Sequence, residues 1–139
     1  METRHHHPHI IIHLEPEEQL TDSLISICSK HSVQTGVILS GIGQLKQVTL
    51  GYFKKKDDYT PKIFDDIYEL LSLTGTIISH EQGYIPHLHT VIGSQDKTTH
   101  GGHLISATVE VTNEIVLLLI DTKINRKQSP ITGLMELTL

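Results

Sequence analysis

Apolar positions change rhythm along this chain. Ile10-Ile11-Ile12-His13-Leu14 is a β-branched run that reads as a first strand. Glu15-Pro16-Glu17-Glu18 then signals a helix start, because proline suits the first helical turn and acidic residues there suit the helix dipole. Leu20, Leu24, Ile27, Cys28 and His31 follow at helical spacing and make one apolar stripe, which predicts an amphipathic helix.

Beyond residue 33 the rhythm is that of strands. Val33 to Leu39 is apolar and runs into Ser40-Gly41-Ile42-Gly43, a glycine-rich bend. Leu45, Val48, Leu50, Tyr52 and Phe53 mark the next strand, and Lys54 to Thr60 a charged turn. An apolar-rich segment runs from Ile63 to Leu73 and on to Ile78, with a turn at Glu81-Gln82-Gly83. Tyr84 to Ile92 reads as a strand, Ser94 to Thr99 as a polar turn, and Leu104 to Val111 and Glu114 to Ile120 as strands around Thr112-Asn113. Residues 130–139 suggest a last strand. One N-terminal helix followed by consecutive strands predicts an α+β fold, the helix packed on a largely antiparallel, curved sheet in a single compact domain. Residues 1–8 read as a flexible histidine-rich terminus, with the domain spanning 9–139.

At 139 residues the chain suits one domain. Its formal net charge of -5 argues against a phosphate-binding surface spread over the whole molecule. The single Cys28 has no partner for an internal disulfide, which suits a reducing interior. No apolar run approaches the roughly 20 residues of a membrane span, and the first residues lack a signal-peptide core. The expectation is a cytoplasmic protein without a membrane partner.

Candidate chemistry lies in the histidines, of which there are 11. His87 and His89 alternate with Leu88, so in a strand both point to one face. His103 follows Gly101-Gly102, where backbone can approach closely. If segment 84–92 pairs with 103–111, the three imidazoles converge. Three neutral imidazoles with a fourth position open are a ligand set for zinc or another divalent transition metal. Glu69, Glu110 and His100 are candidates for supporting those ligands, either by orienting an imidazole or as a base. His80 has no partner at ligand spacing, and His5, His6, His7 and His9 on the terminus are set aside. Gly41, Gly43, Gly101 and Gly102 match no nucleotide loop and read as bends in a curved sheet. Lys54-Lys55-Lys56 beside Asp57-Asp58 reads as a solvated hairpin tip.

Four stretches, in order, resemble the PPC domain (plants and prokaryotes conserved; domain of unknown function 296), in its stand-alone prokaryotic type. They are Ser40 to Leu50 (S-G-I-G-x-L-x-x-V-T-L), Tyr68 to Gly75 (F-E-I-L-S-L-S-G), Pro86-His87-Leu88-His89, and Gly101-Gly102-His103-Leu104. Together they cover about residues 9–121. The resemblance implies a homotrimer and, in prokaryotic relatives, a metal, usually zinc, held by the residues at His87, His89 and His103. In plants the domain follows a DNA-gripping AT-hook. This chain has no Arg-Gly-Arg-Pro core, and Asp66-Ile67 stands where plant sequences often carry arginine.

Two functions follow as expectations. The first is a metal-binding PPC-like module, with a DNA-associated regulatory role by family analogy and DNA or a transcription-related protein as partner. The alternative is a metal-dependent hydrolase or lyase acting on a small molecule through a metal-bound water. The cupin pattern expects a glutamate a few residues after the histidine pair, and Gly93-Ser94 stands there.

Overall fold

A computed structural model describes residues 1–139. Its strands are β1 (Glu2–His6), β2 (His9–Leu14), β3 (Thr35–Gly51), β4 (Lys62–Phe64), β5 (Tyr68–His80), β6 (Gly83–Gly93), β7 (Thr99–Ile120), β8 (Asn125–Gln128) and β9 (Met135–Thr138). The single helix, α1, spans Leu20–Lys30. The main sheet has the order β1-β2-β7-β6-β5-β3-β4, and β3 also pairs with β7. That extra pairing closes β7, β6, β5 and β3 into a ring, and every pairing in the chain is antiparallel. The helix lies between β2 and β3 rather than at the terminus, and packs on β6 and β7.

Alternation places the core as the sequence predicts. Ile10, Ile12 and Leu14 of β2 are fully buried, and the stripe Leu20, Leu24, Ile27 and Cys28 faces the same core. Burial pushes the Cys28 thiol up to about 12, so it is an inert packing group. The ring contributes Leu45, Leu73, Ile77, Leu88, Val109 and Leu117. No helix is long and apolar enough to cross a membrane.

Several elements differ from the sequence expectation. The helix begins at Leu20, not at Glu15, because Glu17 has φ 71 and the backbone of Glu17 and Glu18 bonds Val109 of β7 instead. The bend expected at Ser40–Gly43 lies inside one continuous strand. Register shifts between Ile38 and Ser40 and between Gly43 and Leu45 bend β3 without breaking it. β7 likewise runs through Thr112-Asn113, with Asn113 buried. The segment from Ile63 divides into β4 and β5 at Asp65-Asp66, and the last strand is shorter, with an unforeseen partner in β8.

The terminus read as flexible is an edge strand: Glu2 to His6 pair with His13 to His9. Its α-amino group also sits 2.8 Å from Glu15 and 3.1 Å from Glu18, so charge as well as backbone bonding fixes it.

Candidate metal centre

β6 and β7 meet as a hairpin in which His89 stands directly opposite His103. The pairing that brings them together is 89–93 with 99–103; residues 103–109 pair with β3 instead of β6. His87 shares the face of His89, and Leu88 between them, 1% exposed, anchors the strand in the core. Gly102 lets β7 pass close to β3, since a Cβ there would lie 2.9 Å from the Gly51 carbonyl oxygen. The three rings form a near-regular triangle, with centroid separations of 5.1, 5.5 and 5.5 Å.

One ligand nitrogen from each ring lies within 4.8 Å of the others. Tetrahedral ligation at about 2.0–2.1 Å sets neighbouring nitrogens about 3.3 Å apart. The Nε2 atoms of His87 and His89, 3.2 Å apart, already meet that spacing. His103 Nδ1 is buried with no hydrogen-bond partner, the kind of orphaned atom that an ion would satisfy. Burial first, and then His87 and His89, push the His103 imidazole down to about 4. His87 is lowered by burial, then by Arg126 and His89. Both rings are therefore neutral at physiological pH, the state a metal ligand needs. These residues fit a divalent metal.

Three neighbours complete the site. Tyr59 packs edge-on against His103 at 5.3 Å between ring centroids. Thr76 of β5 stands opposite His87 and accepts a hydrogen bond from Arg126 Nη2 at 3.0 Å. Arg126 on β8 also donates to the Met135 carbonyl at 2.8 Å and reaches His87 Nδ1 at 3.5 Å. A guanidinium only donates, so this long contact holds only while the His87 ring hydrogen is on Nε2; with Nε2 on a metal the hydrogen would sit on Nδ1 and the contact would be given up. Together with β9, these groups border a cavity of about 790 Å³ that opens beside the three histidines.

The candidate supports are elsewhere. Glu69 accepts from Gln44 at 3.0 Å, Glu110 pairs with Lys46 at 2.8 Å, and His100 lies against the Phe64 ring at 4.9 Å. None of the three borders the cavity. Glu69 on β5 pairs with Gly93 rather than with a histidine, Glu110 lies far along β7 from His103, and His100 is turned onto Phe64. Tyr59, Thr76 and Arg126 stand in their place. Sequence reasoning passed over them because Tyr59 sits in a charged turn and Arg126 in a polar stretch with no apolar period.

The model of the Plants and Prokaryotes Conserved (PCC) domain matches residues 1–121, which takes in the N-terminal strand. A structure from Bacteroides thetaiotaomicron, described as a putative DNA-binding protein, is 28% identical, with TM-score 0.93 over 99% of this chain and 96% of that one. The metal-containing protein from Archaeoglobus fulgidus is 25% identical, with TM-score 0.84 over 94% of this chain and 93% of that one. The chain is also 30% identical over 128 residues to the bifunctional protein GlmU of Synechococcus sp. (strain JA-3-3Ab), covering 91% of itself but only 20% of that longer protein. A family model spanning most of the sequence, agreeing with the ring of strands and the paired histidine segments, places this chain in the Plants and Prokaryotes Conserved domain family.

Proposed function

We propose that this chain is a metal-binding domain in which His87, His89 and His103 hold one divalent ion, zinc first among the candidates. The observation that carries the reading is the convergence of three imidazole nitrogens within 4.8 Å of one another on facing strands. The all-nitrogen ligand set favours zinc over magnesium or calcium, which prefer oxygen. The metal-containing relative from Archaeoglobus fulgidus supports it. When bound, such an ion supplies Lewis acidity on the cavity side. The protein's own contribution is to keep the His87 and His103 rings neutral, to hold the spacing of the three through Leu88 and the β6–β7 hairpin, and to wall the site with Tyr59 and Arg126.

The test is elemental analysis of the full chain after zinc loading and gel filtration. One zinc per chain is expected for the wild type, and a loss of at least about tenfold in affinity for His89→Ala. Equal metal content and affinity in the two proteins would sink the assignment.

A DNA-associated role is supported by the Bacteroides thetaiotaomicron relative. The net charge of -5 works against it, because affinity for DNA rests mainly on neutralised phosphates. A mobility shift that weakens as salt rises is the result this role requires. No shift at about 0.1 M salt would leave DNA at most an indirect partner.

A further inference from the structure

We propose that the cavity beside the three histidines binds a small organic carboxylate with an apolar body, its carboxylate held by Arg126. The proposal deepens the reading of this site as a metal centre. Its basis is a charge without a counter-charge. Arg126 is 8% exposed, yet no carboxylate lies within 4.0 Å of it; every ion pair in the molecule involves another cation. Its partners are neutral: the Met135 carbonyl, the Thr76 hydroxyl and His87 Nδ1. Its Nε is buried with no partner at all. Buried arginines are normally paired, because desolvating an uncompensated guanidinium is costly. The one acidic side chain bordering the cavity, Glu136, instead accepts from Thr132 Oγ1 at 2.6 Å. A divalent ion on the histidines would add further positive charge to the same site, which an anion would balance.

The walls define the ligand's other end. Ile85, Pro86, Leu134 and Leu137 border the cavity, and its volume of about 790 Å³ is of small-molecule size. No lysine and no second arginine line it. One planar guanidinium matches a monocarboxylate better than a phosphate, whose higher charge calls for more donors.

Calorimetry on the zinc-loaded full chain tests this, with hexanoate, its neutral analogue hexanamide, and inorganic phosphate as probes. Hexanoate should bind, with hexanamide and phosphate each at least about tenfold weaker. Compared at equal zinc occupancy, fixed by elemental analysis, Arg126→Met should weaken hexanoate by at least about tenfold, and Arg126→Lys should keep part of the affinity. Equal affinity for hexanoate and hexanamide, phosphate binding as tight as hexanoate, or no hexanoate binding at millimolar concentration would each overturn the proposal. So would wild-type hexanoate affinity in Arg126→Met. If that variant does not fold, the hexanoate-to-hexanamide ratio in the wild type and in Arg126→Lys decides. The metal reading fails separately: His89→Ala with undiminished zinc would remove it and leave the charge contrast at Arg126 intact.

Discussion

Gly75 occupies the tightest backbone approach at the site. Its φ is +139, and a Cβ there would lie 2.0 Å from the His87 carbonyl oxygen and 2.9 Å from the Leu88 Cα. No rotamer change relieves a clash with backbone, so β6 itself would have to move. Gly43 offers a matched control: φ is +147, and its Cβ would lie 2.0 Å from the Thr112 carbonyl oxygen, on the stretch of β7 well beyond His103. Gly75→Ala and Gly43→Ala should each cost about 1–3 kcal/mol of stability, measured by urea unfolding. Only Gly75→Ala should also weaken zinc, by about tenfold or more, because only it pushes on the backbone of a ligand residue, His87, rather than on a part of β7 remote from His103. If zinc titration gives the two variants the same affinity, Gly75 is a fold residue with no part in positioning His87.

At the scale of elements, the β6–β7 hairpin fixes the register that puts His89 across from His103, and the Ser94–Thr98 turn closes it. The turn is organised around the Asp96 carboxylate, which accepts from the Thr98 backbone N–H at 3.0 Å, from the Thr98 hydroxyl at 2.7 Å and from the Ser94 hydroxyl. Those bonds, Ser94 first, then Thr98, bring the carboxyl down to about 2. A lowered carboxyl stabilises the folded turn above its ordinary value of 3.8, and that contribution disappears as pH falls through about 2. An NMR titration should therefore place the Asp96 carboxyl near 2, with the Thr98 amide signal moving at the same midpoint. A midpoint at or above 3.8 would show that the turn does not depend on these bonds.

Much of this level was legible in the sequence. The alternation of Ile10, Ile12 and Leu14, the helical stripe from Leu20 to Cys28, and the alternation of His87 with His89 each carry a period that a single element explains. The glycines of Ser40–Gly43 signal a bend in the sequence but not that β3 continues through it, because glycine marks unusual backbone without saying whether the chain turns or another strand comes near. Arg126 was invisible for a different reason. Its role comes from a fold-back of β8 and β9 over the histidines, and nothing periodic in residues 122–139 announces it.

For the whole molecule, the closed ring leaves its outside unevenly covered. Ile42 on β3, Leu71 on β5 and Val111 on β7 are exposed by 50, 49 and 57%. β3 pairs with both β5 and β7, and the three residues lie near the point where Gly43 meets both Leu70 and Asn113. Single exposed apolar residues are ordinary, but large apolar side chains grouped on adjoining strands suit a contact between subunits. We propose that this face joins copies of the chain in the homotrimer that its family resemblance implies. A charged side chain buried in such a contact without a partner is strongly unfavourable. Leu71→Asp and Ile42→Asp should therefore shift the sedimenting species from three chains to one at micromolar concentration. Their circular dichroism should remain that of the wild type, because neither side chain contributes to the core. A wild type that sediments as a single chain would end the assembly reading. A trimer that survives both substitutions would move the contact to another face.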